Sequence, residues 1–220
     1  GDVVETAGKL PGSDLRVGIA LAISLVFALG LFFVLPVAAV GVAHRWLGTG
    51  LLSLIVEGLV RLALLLGYLA LIGRLPDIRR VFEYHGAEHK AINCYEAGQP
   101  LDEAHVRRAS RVHTRCGTGF LLIVVVVSIF VFALVGNPPI LLRLLSRVAL
   151  VPVIAAIAYE LMRLGAANYR LPIVRWLMAP GLALQGLTTR EPDASEIECA
   201  IVALNRVLRR DGVLEAEAVV

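Results

Sequence analysis

The chain predicts an all-α, polytopic membrane protein of about four transmembrane helices plus cytoplasmic helices. Three observations carry this. Of 220 residues, 58% are hydrophobic and 18% charged, against roughly 45–50% apolar residues in a soluble domain. The excess is concentrated in four runs, residues 17–44, 51–73, 118–136 and 140–164. Each is long enough for the ~20 residues that cross a bilayer, and four such runs in so short a chain argue against buried core helices. The basic residues are also distributed unevenly. Arg74, Arg79, Arg80, Lys90, Arg107, Arg108, Arg111 and Arg115 fall between runs two and three, and Arg163, Arg170, Arg175 and Arg190 follow run four. Only Arg45 lies in the turn between runs one and two. Basic loops face the cytoplasm, which places both termini and the 74–117 segment there. Arg143 and Arg147 count against this orientation, but they lie inside a run and not in a loop.

Within the runs, Pro36 and Pro152 are expected to kink their helices, as membrane helices tolerate. Glu57 and Arg61 are four apart with the acid first, the favourable order for a helical ion pair. They predict an internal structural pair, with a proton or ion path as the alternative. His44 and Trp46 stand where an interfacial anchor belongs. Residues 1–16 lack the charged start, short apolar core and cleavage site of a secretory signal. Cys94, Cys116 and Cys199 are odd in number at unrelated spacings, so no disulfide framework is predicted. The net charge of +3, with no basic run interleaved with aromatics, argues against nucleic acid as a partner.

The organisation expected is therefore membrane helices 1 and 2 over residues 1–73, a cytoplasmic helical segment over 74–117, membrane helices 3 and 4 over 118–164, and an interfacial segment with a C-terminal amphipathic helix over 165–220. In the second part, "DIRRVFEYHGAEHKAINCYEAG" predicts a helix from about Ile78 that ends at Gly98, a suitable C-terminal cap. "PLDEAHVRRASRVH" predicts a second, polar helix with acids first and bases last, matching the helix dipole. "LPIVRWLMAPGLALQGL", interrupted by Pro172, Pro180 and Gly181, reads as interfacial or re-entrant. In "EPDASEIECAIVALNRVL", Asp193 and Glu196 form a capping box, and Ile197, Ile201, Leu204 and Leu208 form one apolar stripe. The residues after Asp211 are expected to fray.

The stretch "YHGAEHK" contains H-x-x-E-H. Residues four apart share one helix face, so His85 and His89 can grip one cation with Glu88 beside them. Imidazole is a good zinc ligand, zinc lowers the pKa of bound water to about 7, and a neighbouring carboxylate can accept the proton. The motif is short and also fits an exposed polar turn. A catalytic zinc needs a third protein ligand. Glu96 shares the face but lies seven residues beyond His89, about 10 Å along the axis, and Cys94 points to the opposite side. The predicted topology instead brings His113, Cys116 and Glu160 to the same side of the membrane. Each also has a plainer role available: helix end for His113, packing for Cys116, a pair with Arg163 for Glu160. His105, on the polar helix, reads as solvated.

"DIRRVFEYHGAEHKAINCYE", "HTRCGTGFLL", "AYELMRL" and "LTTREPD" resemble, in this order, the YqhQ-like family of uncharacterised bacterial integral membrane proteins, which have been labelled predicted metal-dependent enzymes. The resemblance runs from about Asp77 to Leu208. It implies that Tyr84–Lys90, His113–Gly119, Glu160 and Thr188–Asp193 belong to the family pattern, and it places the chain in a bacterial cytoplasmic (inner) membrane, multi-pass. The family is longer at the N-terminus, with a Gly-rich stretch not present here. Thr114 and Gly119 stand where the family has Pro and Ser.

The function these readings predict is a divalent-metal-dependent hydrolase, zinc most suited, at the cytoplasmic membrane face. His85 and His89 are the expected ligands, Glu160 or His113 the third, Cys116 a further candidate and Glu88 the general base. Arg190 is expected to hold an anionic group. The partners are the bilayer and a peptide, lipid or phosphoester substrate, and a homo-oligomer is left open. The alternative is a non-enzymatic scaffold, accessory subunit or small transporter. There the same cluster would be a structural knot, closed by four ligands such as His85, His89, His113 and Cys116.

Overall fold

In the computed structural model, residues 13–48, 50–136 and 138–213 are described, and they form helices and loops with no strand among them. The expected anchors His44 and Trp46 have side chains outside the described ones, as do the chain ends 1–12 and 214–220. The helices are α1 (Ser13–Leu29), a π-helical turn (Gly30–Val34), α2 (Leu35–Leu47), α3 (Leu51–Ile72), α4 (Pro76–Glu96), α5 (Glu103–Arg108), α6 (Gly117–Val135), α7 (Ile140–Ala149), α8 (Val151–Ala167), α9 (Pro172–Thr188) and α10 (Ala194–Arg210). Three stretches are long and apolar enough to cross a membrane: Leu15–Ala43, Leu52–Ile72 and Gly117–Val135. A fourth is the pair α7 and α8, bent by 43°. The bend is where the sequence places it, because Pro152 has no N–H for the carbonyl four residues back and its ring crowds that turn.

The described residues divide into two compact units. The first comprises the chain up to Leu64 with Phe132–Val151. It is packed inside out relative to a water-soluble protein. On α7, Ile140, Leu141, Leu142 and Leu145 are exposed while Arg143 and Arg147 are buried. Such a surface is stable only where the surroundings are as apolar as leucine. Pro36 removes the N–H that would serve the Phe32 carbonyl, and Arg61 Nε donates to that oxygen at 2.9 Å.

The second unit comprises Leu65–Val131 with the chain from Pro152 onward. Its core is Ala87, Ala91 and Cys94 of α4, Val106 of α5 and Ile197 of α10. The small side chains on α4 let α10 lie close against it. The predicted stripe of α10 supplies the other side, with Ile201 and Leu204 packed on the same cluster. The capping box forms as expected: Asp193 accepts from the Glu196 N–H, and Glu196 accepts from the Asp193 N–H. Gly98 ends α4 with φ +66°, and the Gln99 N–H closes back on the Cys94 carbonyl at 3.1 Å.

Two helices differ from expectation. The polar helix expected over 100–113 is helical only at Glu103–Arg108. The carbonyls of Ser110, Arg111 and Val112 are taken by side chains of α4, which hold the strand-like stretch off the helical path. Residues 171–187 form one helix in spite of Pro180. At 17 residues it falls short of the ~20 that span a bilayer.

Candidate metal centre

The face of α4 opposite its packed alanines carries His85 and His89. Gly86, between the two faces, allows a close approach of the chain that leaves α9. The Arg190 N–H bonds the Phe82 carbonyl at 2.8 Å, and a Cβ at Gly86 would lie 2.0 Å from the Arg190 carbonyl oxygen. The same approach brings the Thr188 carbonyl to His85 Nδ1 at 2.9 Å. On the other side, the 109–113 stretch brings the Arg111 carbonyl to His89 Nδ1 at 2.6 Å. A carbonyl can only accept, so each Nδ1 carries the proton. Each Nε2 is left with its lone pair.

These lone pairs converge with Cys116, the residue before α6. Its Sγ is 3.4 Å from His85 Nε2, and one donor atom each from His85, His89 and Cys116 lie within 4.8 Å of one another. Two ligands of a tetrahedral zinc, one nitrogen and one sulfur, are about 3.5 Å apart given the usual bond lengths. The rings of His85 and His89 meet edge to face, centroids 4.4 Å apart. His89 and Cys116 are buried. Two imidazoles and one thiolate suit zinc and its neighbours among the transition metals, and not magnesium or calcium. Backbone carbonyls on both Nδ1 atoms are the usual way to orient imidazole ligands. These three residues can therefore hold a metal ion.

The remaining sequence candidates lie around or apart from this group. His113 is buried, but its ring nitrogens are both engaged. Nδ1 accepts from the Arg115 N–H at 3.4 Å, and Nε2 meets Glu96 Oε2 at 3.4 Å. Glu96, too far along α4 to share the ion, thus holds His113 and, at 3.2 Å, Arg115. Glu160 is half-exposed on α8 and pairs with Arg163 at 3.1 Å. Glu88 is exposed on α4 between the two histidines. Arg190 Nη1 donates to the Gly186 and Thr189 carbonyls at the end of α9. Cys94 faces the core and donates to the Pro100 carbonyl.

The family described as protein of unknown function DUF1385 matches residues 4–210. The chain belongs to the DUF1385 family. A relative, the uncharacterized protein YqhQ of Bacillus subtilis (strain 168), is 38% identical over 209 residues, which are 94% of this chain and 66% of the relative. The chain thus spans just under two thirds of that relative's length. No solved structure matches. All four sequence blocks that carried the resemblance fall inside the DUF1385 match.

Residues outside the donor group fix its frame in this DUF1385 chain. Gln185 is buried in α9 and clamps the 113 backbone from both sides, accepting from the His113 N–H at 3.0 Å and donating to its carbonyl at 2.7 Å. Lys90, buried on α4, donates to the Arg107 and Ala109 carbonyls and pairs with Glu191 at 2.8 Å. Glu191 in turn meets Arg111 at 3.0 Å. Sequence reasoning counted Lys90 only as a charge and passed over Gln185. The one sequence signal for this frame was the "LTTREPD" block.

The electrostatics follow from these contacts. Burial pushes the Cys116 thiol up, but its hydrogen bonds with His85, which donates from Nε2 as the imidazolium, with His89 and with the Thr118 N–H outweigh it and bring the group down to about 5. His85 is raised, chiefly by its bond to Cys116, against burial and with help from the Thr188 carbonyl and Glu88. Cys94, without such partners, is pushed up by burial. The two buried cysteines thus differ in kind, and the difference is made by imidazoles.

Proposed function

We propose that this DUF1385 chain is a metal-dependent hydrolase of the bacterial cytoplasmic membrane, with its site at the cytoplasmic face and both termini on that side. His85, His89 and Cys116 are its metal ligands and Glu88 its general base. The observation that carries this reading is the convergence of three donor atoms whose histidines are both held at Nδ1 by backbone carbonyls. Three protein ligands are the number found in catalytic zinc sites, where the next position takes water, and a structural site needs four. His113, the nearest fourth candidate, has both ring nitrogens engaged, which favours the open arrangement over a structural knot.

The metal would supply Lewis acidity and a bound water of lowered pKa. His85 and His89 keep the tautomer that ligation needs, Cys116 contributes the thiolate, and Glu88, exposed beside them, accepts a proton from the attacking water. Arg190, at the end of α9, is the residue proposed to meet an anionic part of the substrate. The bond cleaved is a peptide, ester or phosphoester bond in a molecule presented at the membrane surface.

A second reading rests on the His85–Cys116 contact at 3.4 Å. A thiolate beside an imidazole is the arrangement of a cysteine nucleophile. The experiment that separates the two is Glu88→Gln, assayed for metal and for hydrolysis of chromogenic ester, phosphoester and peptide substrates in mixed micelles. A metal hydrolase keeps its metal and loses at least tenfold in rate, within the usual general-base contribution of about 10²–10⁴. Activity that survives both chelation and Glu88→Gln, and disappears in Cys116→Ala, establishes the nucleophile instead. Metal with no activity to lose returns the site to a structural role.

A further inference from the structure

Four ionisable side chains meet in the first unit, and several of the donors there have no partner. On α3, Ser53, Glu57 and Arg61 follow one another four residues apart and so share one face. On α7, Arg143 and Arg147 do the same. All five are buried, Glu57 at 1% exposure and Arg147 at 0%. Glu57 uses both oxygens. Oε1 accepts from Arg61 and Arg147, each at 3.2 Å, and Oε2 accepts from Arg143. Three guanidinium groups therefore face this carboxylate.

Hydrogen bonding around this carboxylate is incomplete. Arg147 Nη1 and Nη2, Arg143 Nε and Ser53 Oγ are buried without a partner. Arg147 gives its Nε to Glu57 and lays its plane over the Phe132 ring, 3.9 Å from the centroid. What remains is the end-on pair of nitrogens that matches two oxygens of a tetrahedral anion. Buried donors without partners are costly. Ionisable groups within spans mark binding sites by default. One oxyanion would supply the missing acceptors.

We propose that Ser53, Arg143 and Arg147 bind a phosphate-type oxyanion. The donors come from three side chains on two helices, more than the two oxygens of a carboxylate would use. Ser53 and Glu57 stand two and six residues into α3, and Arg143 stands three residues into α7. The exposed leucines beside Arg143 offer acyl chains a surface. The phosphate is either that of an anionic phospholipid or a soluble one.

The test uses the 220-residue chain in nonionic detergent. Its melting temperature is followed against inorganic phosphate, against phosphatidylglycerol in mixed micelles, and against chloride at equal ionic strength. A saturable rise with phosphate or phosphatidylglycerol beyond chloride is expected. The arm that gives it names the source. Arg147→Lys, which keeps the charge and loses the end-on pair, should weaken the response at least tenfold, and Ser53→Ala should weaken it several-fold. Should Arg147→Lys not fold, Ser53→Ala decides alone. No rise beyond chloride in either arm overturns the proposal, and so does a rise that the folded variants leave unchanged.

Discussion

The two clusters of this protein handle charge in opposite ways. In the second unit, both Nδ1 atoms of the His85–His89–Cys116 group are held by backbone carbonyls, and Cys116 Sγ meets His85 Nε2. Behind those partners stands a further layer of Gln185, Lys90, Arg111 and Glu191. In the first unit, three arginines share Glu57, and several buried donors have no partner at all. Both are polar islands in an apolar molecule. The difference teaches that orientation and affinity leave separate signatures. A site that positions ligands for chemistry is fully bonded on its outer side and converges inward. A site that waits on a ligand shows the deficit in its own hydrogen bonds.

The largest expected effect breaks the first cluster. Glu57→Gln removes the carboxylate that three buried guanidinium groups share. Breaking a buried ion pair costs about 3–5 kcal/mol. Denaturant or thermal unfolding in detergent should show a loss of that order. Phosphate at saturating concentration should recover part of it if the oxyanion site is real. A loss near zero would mean that the arginines are neutralised elsewhere.

Gly86→Ala tests the second cluster from behind. The added methyl would overlap the Arg190 carbonyl, and overpacking of this kind typically costs ~1–3 kcal/mol. The sharper readout is metal affinity. The displaced segment carries the Thr188 carbonyl that orients His85, and losing such an orienting partner costs roughly 10–100-fold. Unchanged stability with unchanged affinity would contradict the close approach.

A smaller effect sharpens the contrast between the buried cysteines. In metal-stripped protein, the thiolate absorbance that disappears in Cys116→Ser should titrate with a midpoint near 5. No thiolate signal from Cys94 should appear until well above neutral pH. The sign for stability follows. The depressed Cys116 contributes stability that is complete above its ordinary value of 9.0 and is lost as pH falls through about 5. The raised His85 contributes stability that is complete below its ordinary 6.5 and is lost as pH rises through its folded value. The metal-free unit should therefore be most stable between these limits and weaken on either side. A Cys116 midpoint near 9 would remove the imidazole–thiolate contact.

Local patterns made much of this legible in the sequence. The helix from Pro76 to Glu96, its glycine stop, the Asp193 capping box and the α10 stripe all depend on spacings of a few residues. The pairing of His85 with His89 on one face is equally local. What escaped depends on distance along the chain. Arg143 and Arg147 lie 86 and 90 residues from the carboxylate they share, and nothing in "LLRLLSR" names it. Gly86 is required by a second backbone that lies against it, more than a hundred residues on at Arg190. Among third-ligand candidates, Cys116 ranked behind His113 and Glu160. The ranking changed because Glu96 and the Arg115 N–H occupy His113, and Arg163 occupies Glu160. Competing partners of that kind are visible only once the chain is folded.

The central claim is that Cys116 completes a metal site with His85 and His89. The most direct test is cobalt(II) loading of metal-stripped protein, read by absorbance. The account predicts one cobalt per chain, tetrahedral visible bands and a thiolate-to-cobalt charge-transfer band. That band should vanish in Cys116→Ser, and binding itself should be lost in His85→Ala and His89→Ala. Cobalt uptake no greater than in the histidine variants, or a charge-transfer band that survives Cys116→Ser, would contradict it.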